Sequence, residues 1–399
     1  MNSDSFQIRV LVPYMRAYGG GVRRVLGDGL RHLGQIPGFS FEYAELCQNK
    51  EDMDEMEKVG VLVNRELGVP GSGVLSYHRG IRRKLDLLKS VPRLASLIWR
   101  IHGSLKKYDA VYVHGYRELL FIYVAGLLNG VKNHPPIVWH CHGIGDNPSS
   151  SILAFLADRC VKIVAISQDS AGRLNEIGVP SRRIGVVYNA INRKKVQEQT
   201  EELLPSLPAK GPDQYIILLP SASIRESKGL HIAIKALDNL PVTCHLWITG
   251  DPKDPASMEY KKELDNMINS NELNSRVHFI GHRRDIYSAM RLSDIIIVPS
   301  ICREGFGLVA AEAMALGKPV VVSNRGALPE VLGSQENGWI FDLGIPGSLS
   351  SCIRGIIADP AEAMRRGENG SLRAERLFSY ERWANEISCI LLEAVSGRF

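Results

Sequence analysis

The chain has 399 residues, of which 45% are apolar and 23% are charged, and its formal net charge is +5. This length and composition predict two or three globular domains and exclude a disordered, collagen-like or coiled-coil protein. No apolar run approaches the roughly 20 residues of a membrane span, and residues 1–6 do not resemble the start of a signal peptide. Seven scattered cysteines without a C-x-x-C pair indicate reduced thiols, and we expect a cytoplasmic protein.

The positive charge is concentrated in one segment. Between Tyr77 and Tyr108, nine lysines and arginines stand against one acid, so the rest of the chain is slightly acidic. This distribution excludes a protein-wide attraction to polyanions and leaves a local one open.

Short β-rich runs alternate with helix-length segments through the first half of the chain. Strands are predicted at 8–12, 41–47, 110–114, 137–142, 163–167 and 184–188, and helices near 22 and at 119–128 and 170–177. This alternation is typical of a parallel sheet covered by helices on both faces.

A polar, proline-containing break at 194–212 precedes a second series of the same kind. Its strands are predicted at 215–220, 245–249, 277–280, 295–299 and 320–323. We therefore expect an α/β fold of two units, 1–193 and 194–378. The helical spacing of apolar residues in 380–395 predicts a terminal helix.

Ligands of open parallel sheets bind beyond the carboxyl ends of the strands, where loops lead into helices. The first such loop holds Gly19, Gly20 and Gly21 before a predicted helix, an arrangement that lets backbone amides approach an anion. It lacks the G-x-G-x-x-G spacing of a dinucleotide fingerprint, so contact with a phosphate and a purely structural turn both remain open.

The strongest motif lies between Pro299 and Pro319. Glu304 and Glu312 bracket a glycine-rich turn that opens a helix, and the amides of residues 305–308 lie at the positive end of that helix. Glu312 is placed to accept hydrogen bonds from a diol, whereas the alternative is a solvated helix face with Glu304 as a capping acid. The second explanation leaves Gly305, Phe306 and Gly307 without a purpose.

This run resembles the E-x7-E signature of the retaining glycosyltransferases of family 4, the glycosyl transferases group 1. Pro-Ser precedes the first glutamate, and E-A-M-A-x-G-x-P-V begins at the second. The resemblance implies a GT-B fold, with two facing Rossmann-like domains, parallel sheets and a deep cleft between them. It also implies that the second domain binds the donor and the first the acceptor, and that the terminal helix at about 379–399 packs back on the first domain.

The resemblance assigns roles to individual residues. It implies that Glu312 binds the ribose of a nucleotide sugar, that Glu304 and the Phe306 and Gly307 amides hold the donor sugar, and that Lys228 neutralises the diphosphate. The further donor-binding candidates are Gly20, Gly21, Arg225, Arg283, Gly305 and Leu308.

One position departs from the family pattern. The family usually carries an arginine five residues before this lysine, and the present chain has Ser223 there. Arg225 is expected to substitute for it, with an ordinary surface charge as the alternative. Arg283 follows a strand at which relatives contact the base, but it does not distinguish a UDP-linked from a GDP-linked donor.

His140 and His142 alternate on one predicted strand and therefore share a face. The family places a histidine near the donor sugar and the acceptor at the position of His142, so we expect His142 to act in catalysis with Lys228 and Glu304. Because the sequence indicates no third ligand nearby, we expect no metal here, and His140 is predicted to be a hydrogen-bonded core residue. Asp52-Met53-Asp54 has the D-x-D spacing of metal-dependent transferases, but it lies in an acidic run and is predicted to be a solvated charge cluster.

The basic segment has helical spacing, with Leu94, Leu97, Ile98, Ile101 and Leu105 on one face and Pro92 in the first turn. It is a candidate for contact with anionic lipids on the inner face of the membrane or with an anionic acceptor. The alternative is a core-packed helix with a solvated face, and nucleic acid is excluded because no recognition module accompanies the charge. The candidate residues are Arg79, Arg82, Arg83, Lys84, Lys89, Arg93, Arg100 and Lys107.

Together these features predict transfer of a sugar from a UDP- or GDP-linked donor to a hydroxyl of a carbohydrate or lipid-linked acceptor, as in polysaccharide or glycolipid synthesis. Retention of anomeric configuration is expected, with no metal and no cofactor. The alternatives are a sugar-nucleotide epimerase, a disaccharide synthase or phosphorylase, and a non-catalytic nucleotide-sugar-binding module.

Overall fold

The computed structural model describes residues 7–15, 20–70, 81–128, 134–143, 150–198, 207–283 and 286–397, without the side chains of 20, 21, 24, 70, 81–90 and 150. The chain divides into two compact units, Met1–Ala190 with Tyr380–Phe399, and Ile191–Ser379. This division lies close to the expected boundary after residue 193, and it assigns the terminal helix to the first unit.

The strands are β1 (Ile8–Tyr14), β2 (Phe39–Glu45), β3 (Cys47–Gln48), β4 (Leu62–Val63), β5 (Val69–Pro70), β6 (Ala110–Val113), β7 (Ile137–Cys141), β8 (Lys162–Ala165), β9 (Ile184–Val186), β10 (Tyr215–Leu219), β11 (Cys244–Thr249), β12 (Val277–Gly281), β13 (Ile295–Val298), β14 (Val320–Ser323) and β15 (Trp339–Phe341). The helices are α1 (Gly20–Leu33), α2 (Lys50–Lys58), α3 (Ile81–Leu105), α4 (Tyr116–Leu128), α5 (Ser150–Ala157), α6 (Gln168–Glu176), α7 (Arg193–Gln197), α8 (Leu230–Leu237), α9 (Pro255–Ser270), α10 (Ile286–Leu292), α11 (Leu308–Ala315), α12 (Leu328–Leu332), α13 (Ser348–Ala358), α14 (Pro360–Leu377) and α15 (Tyr380–Ser396).

The first unit contains a sheet of seven strands in the order β4-β2-β1-β6-β7-β8-β9, and all of its pairings are parallel. Alternate residues of its strands enter two different cores. Leu11 of β1 packs with residues of α3 and α4, while Val10 and Val12 pack with residues of α1 and α15. Helices therefore cover both faces of the sheet, as the alternating pattern predicts.

The second unit contains six strands in the order β12-β11-β10-β13-β14-β15, and these pairings are also parallel. One core lies between the sheet and α8, α9 and α13, where Ile234, Leu264 and Ile353 are buried. On α11, residues 310–315 are buried throughout. Both units are thus doubly wound α/β sheets, and each presents loops at the carboxyl ends of its strands.

Each strand predicted from the sequence is present, with bounds that differ by a few residues. Two local predictions are wrong. Helix α3 begins at Ile81, so Pro92 lies in its interior rather than in its first turn. Asp52 is 2% exposed and its carboxylate lies 2.7 Å from an Arg23 guanidinium nitrogen, so the acidic run in α2 is not uniformly solvated. An apolar face of α2, with Met53 and Met56, turns Asp52 toward the protein interior.

Candidate active site

The carboxyl edge of the second sheet brings Lys228 and Glu304 together. Lys228 ends a 3-10 turn that follows β10, and Glu304 lies in the loop between β13 and α11. The Lys228 ammonium donates to Glu304 Oε1 at 2.6 Å, and the Ser300 hydroxyl donates to the same oxygen at 2.7 Å. Residues that are 76 positions apart in sequence therefore form one hydrogen-bonded charge pair.

Backbone contacts hold the two loops in register. The amides of Ile301 and Cys302 donate to the carbonyl of Ser227 at 2.9 and 3.3 Å. Gly229 has a φ of 70°, and a Cβ at this position would lie 1.9 Å from the carbonyl oxygen of Pro299. Only glycine permits that approach, so the Lys228–Glu304 geometry depends on it.

The charge pair is partly shielded from water, with 35% of the Lys228 side chain and 21% of the Glu304 side chain exposed. Burial lowers the pKa of Lys228, but the charge of Glu304 and its hydrogen bond more than offset that effect, so the pKa lies above the ordinary value. Lys228 is therefore a fixed cation at neutral pH.

Glu312 lies inside α11 and is 3% exposed. The Tyr287 hydroxyl of α10 donates to its Oε1 at 3.0 Å. A buried, hydrogen-bonded carboxylate excludes the alternative in which Glu312 belongs to a solvated helix face.

Helix α11 begins after Gly307, which has a left-handed φ of 97°. A Cβ at this position would lie 2.6 Å from Leu328 Cδ2. Phe306 is buried, and its ring meets that of Phe378 edge-on with centroids 5.3 Å apart. Phe306 thus anchors the turn, and the turn places the first amides of α11, beginning with that of Leu308, at the edge that also carries Glu304.

Arg225 does not join the Lys228–Glu304 pair. Its guanidinium donates to Asp254 at 2.5 Å, and 51% of its side chain is exposed. Asp254 also accepts from the amide of Ser257 as the N-cap of α9. Arg283 lies half-buried after β12. The structure therefore favours an ordinary surface ion pair for Arg225, while Ser223 forms a parallel β-bridge with Asp251.

In the first unit, His142 is part of a cluster of three histidines. His114 follows β6, and β7 carries His140 and leads into His142. His114 Nδ1 lies 2.8 Å from His142 Nε2, and the Tyr112 hydroxyl and His140 Nδ1 form a second hydrogen bond at 2.5 Å. His140 is buried and hydrogen-bonded, as expected for a core residue.

The prediction that no third ligand lies near His140 and His142 is wrong, because His114 lies beside them. The three histidines offer ring nitrogens within 4.8 Å of one another. The ring planes of His140 and His142 differ by only 18°, with centroids 4.4 Å apart, and those of His114 and His142 differ by 19°. A metal ion lies in the plane of each imidazole that binds it, so the face-to-face rings of His140 and His142 are poorly arranged to share one ion, and His114 and His142 already direct ring nitrogens at each other in a hydrogen bond.

Burial keeps these imidazoles neutral. It lowers the pKa values of His114 and His140 well below the ordinary value and that of His142 to about 4. Sequence reasoning missed His114, although both predicted strands end in a histidine. The pairing of Val113 with Trp139 shows that the two strand ends are neighbours.

Buried acids lie at the same edge of the first unit. Glu45 ends β2 and Glu118 lies in the first turn of α4, and both are fully buried. Burial raises the pKa of each to about 7. No sequence pattern distinguishes Glu118 from a surface acid.

The glycine-rich loop of the first unit leads directly into a helix. Gly20 and Gly21 form the start of α1, so the helix begins earlier than expected, while Gly19 lies outside the described residues.

The basic segment forms α3, and its apolar face belongs to the core of the first unit, which contains Leu97, Ile101 and Leu105. The Arg100 guanidinium donates to the carbonyls of Glu66 and Gly68 at 2.9 Å each, and Trp99 is 69% exposed. Of the other basic candidates, Arg93 and Lys107 are exposed. The backbone of α3 includes Arg82, Arg83, Lys84 and Lys89, whereas Arg79 lies outside the described residues. Within the described ranges, no helix has the length and apolarity needed to cross a membrane.

Comparisons with known proteins agree with this architecture. The family model described as glycosyl transferases group 1 matches residues 201–373, and that described as glycosyltransferase family 4 matches residues 52–195.

An uncharacterized glycosyltransferase of Methanocaldococcus jannaschii is 29% identical over 223 residues, covering 55% of this chain and 56% of that protein. N-acetyl-alpha-D-glucosaminyl L-malate synthase of Bacillus anthracis is 22% identical over 268 residues, covering 65% and 68%. The lipopolysaccharide core biosynthesis mannosyltransferase LpcC of Rhizobium leguminosarum is 29% identical over 169 residues, covering 42% and 48%. Two of these three matches thus span only about half of the relative's length.

Solved structures share the fold over nearly the whole chain. HepE of Anabaena, solved in complex with UDP-glucose, has a TM-score of 0.77 at 21% identity, covering 97% of this chain and 100% of that one. Sucrose-phosphate synthase of Thermosynechococcus elongatus has a TM-score of 0.77 at 19% identity, covering 98% and 100%. With two parallel α/β units and both family models matched, the chain belongs to the group 1 glycosyltransferases of the family 4 type and has the GT-B fold.

Proposed function

We propose that this chain transfers a sugar from a nucleotide-diphosphate sugar to a hydroxyl acceptor. The observation that carries the proposal is the Lys228–Glu304 pair at the carboxyl edge of the second sheet. Glu304 lies in the loop that leads into the helix of the buried Glu312. Departure of a nucleoside diphosphate develops negative charge, which a fixed cation and helix amides stabilise without reorganising. The second unit therefore binds the donor, and the first unit binds the acceptor.

Each donor-binding residue has a distinct task in this proposal. Glu312 accepts hydrogen bonds from the ribose diol, because its carboxylate is already oriented by Tyr287. Lys228 and the α11 amides bind the diphosphate, and Glu304 binds the donor sugar. HepE is described in complex with UDP and UDP-glucose, which makes UDP-linked sugars the first donors to test, followed by GDP-linked ones.

We expect the transfer to proceed with retention and without a metal ion. Glu304 Oε1 is engaged by both Lys228 and Ser300, which makes this carboxylate better suited to holding a sugar than to attacking it. The leaving diphosphate then deprotonates the acceptor on the face from which it departs. The anomeric NMR signal of the product tests this mechanism, and an inverted product would exclude it. Unchanged activity after EDTA treatment tests independence from metal.

A non-catalytic nucleotide-sugar-binding module is the second candidate. Ser223 stands where the family pattern implies an arginine, and the nearby Arg225 is engaged by Asp254. Calorimetry with UDP-glucose, followed by turnover assays with carbohydrate and lipid-linked acceptors, separates the two. Binding without turnover supports the module, whereas donor consumption without an acceptor supports an epimerase.

We also propose that α3 brings the first unit to an anionic membrane that carries a lipid-linked acceptor. Its apolar face is packed in the core, so the contact must use the opposite face, where Trp99 is exposed among basic residues. We expect vesicles with anionic lipid to bind the chain and neutral vesicles to bind it weakly. Replacing Arg82, Arg83 and Lys84 with serine should reduce binding, and binding that persists at full strength would contradict this part of the proposal.

A further inference from the structure

We propose that His114 is a positioning residue that fixes the tautomer of His142, so that His142 presents its Nδ1–H to a substrate oxygen. The inference rests on the proposed function in one respect, because His142 is taken there as a catalytic residue. It adds a neighbouring residue and a direction for the hydrogen bond.

The packing holds the His142 ring on two sides. The His114 ring lies edge to edge with it and nearly coplanar, with centroids 5.1 Å apart, and the His140 ring stacks on its face with centroids 4.4 Å apart. His114 and His140 are 2% and 0% exposed, whereas His142 is half-buried. Of these three rings, His142 is therefore the one that can meet a ligand.

The direction of the His114–His142 hydrogen bond follows from the environment of His114. Its Nδ1 lies 2.8 Å from His142 Nε2, while its own Nε2 is buried and has no hydrogen-bond partner among the described residues. A proton on that Nε2 would be a buried donor without an acceptor, which native proteins rarely leave. The His114 proton therefore lies on Nδ1 and points to His142.

The consequence for His142 is a single tautomer. Because its Nε2 accepts from His114, its one proton must lie on Nδ1. A second proton on His142 would make both ring nitrogens donors and abolish the single tautomer. Burial lowers the pKa values of all three histidines and so disfavours that protonated form. His142 is then a neutral hydrogen-bond donor through Nδ1, which suits an oxygen of a sugar or phosphate, and not a general base.

The variants can be matched closely. His114→Leu removes the hydrogen bond, and His114→Asn replaces it because the asparagine amide has nearly the reach of Nδ1. Tyr112→Phe is the control, since it removes the neighbouring hydrogen bond to His140 and leaves His142 untouched. Two measurements are made: steady-state kinetics with a UDP-sugar, and long-range ¹H–¹⁵N NMR of ¹⁵N-histidine-labelled protein, with the His142 signals assigned by their loss in His142→Gln.

We expect His114→Leu to lower kcat roughly tenfold or more with little change in the donor KM. We expect His114→Asn to recover most of the loss and Tyr112→Phe to lie near wild type. In the wild-type spectrum, His142 should be protonated at Nδ1 and bare at Nε2. Equal kcat values for the leucine and asparagine variants, a phenylalanine variant as impaired as the leucine variant, or a proton on His142 Nε2 would each overturn the inference.

The two proposals fail in different ways. If the wild-type chain turns over no nucleotide sugar, the proposed function fails, and the NMR spectrum of wild-type protein alone still decides the tautomer. If turnover is normal but His142 carries its proton on Nε2, the positioning role of His114 fails and the proposed function stands.

Discussion

The carboxyl edges of the two sheets differ in the charge state of their polar side chains. In the second unit, Lys228 and Glu304 form a charged pair that keeps partial contact with water. In the first unit, His114 and His142 are held neutral, and the buried Glu45 and Glu118 have pKa values raised to about 7. Both edges occur on doubly wound parallel sheets, so the fold does not impose the difference.

This difference matches the two kinds of substrate in the proposed reaction. A nucleotide-diphosphate donor is anionic and develops further negative charge as it leaves, which requires a fixed cation. A sugar hydroxyl is neutral, and the neutral imidazole of His142 can form a hydrogen bond with it without bringing a charge to the site. The comparison can be tested by changing the charge at each edge in turn.

The largest effect should come from removing the cation of the second unit. We expect Lys228→Met to lower kcat/KM for transfer by about 10²–10³-fold, the range for loss of one group that stabilises transition-state charge. Lys228→Arg should retain more activity because it keeps the charge, and the exposed Lys235→Ala is the matched control. Steady-state kinetics together with thermal unfolding measures the effect. A folded methionine variant with wild-type kcat/KM would break the assignment of charge chemistry to this edge.

The next effect concerns stability and the buried acids of the first unit, whose pKa values are raised. Glu118 has a pKa of about 7 in the folded chain and 4.5 as a free side chain, so the unfolded chain releases this proton first as the pH rises. Glu118 therefore contributes a loss of stability between about pH 4.5 and 7 that Glu118→Gln lacks, while the contribution of Glu45 is the same in both proteins. We expect the variant to gain about 3 kcal/mol relative to wild type between pH 4.5 and 8.

Denaturant unfolding at several pH values measures this gain, with the exposed Glu66→Gln as control. Glu118 Oε1 accepts from the Met15 amide at 2.9 Å, and glutamine can preserve that bond. A pH-independent difference between variant and wild type would mean that Glu118 is ionised in the folded chain.

The smallest expected effect is the absence of a histidine limb in the pH–rate profile. Because burial lowers the pKa of His142 to about 4, its charge does not change between pH 5.5 and 8. We expect the titration of His142 to change kcat/KM by less than about threefold across this range. The pH profile of His142→Asn should therefore have the same shape as that of wild type, at a lower level. A limb near pH 6.5 that disappears in the variant would contradict the neutral character of this edge.

The sequence predicts the second unit better than the first, for a physical reason. Glu304, the glycine-rich turn and Glu312 are contiguous, so local spacing is enough to place them around one helix. The contacts of the first unit join separate strand ends, such as His114 with His142 and Glu118 with Met15, and no short window contains both partners. Strand locations follow from apolar runs, whereas the burial of Asp52 depends on Arg23 from another helix.

The engagement of Arg225 by Asp254 illustrates the same limit. Spacing along the chain places Arg225 only two residues from Ser223, the position at which the family pattern implies an arginine. The N-cap of α9, Asp254, supplies the carboxylate that pairs with it, and this partner is not evident before the fold is known.

The most direct test of the central claim is a calorimetric titration of the purified chain with UDP-glucose and GDP-mannose, with Glu312→Gln as the variant. The amide keeps a hydrogen-bond acceptor for Tyr287 but loses the charge that favours the ribose diol. We predict that wild type binds at least one of these donors and that Glu312→Gln, folded with an unchanged unfolding midpoint, binds it roughly tenfold or more weakly. Equal affinities for a folded variant and wild type, or no binding of either donor by wild type, would contradict the assignment of the second unit as the donor site.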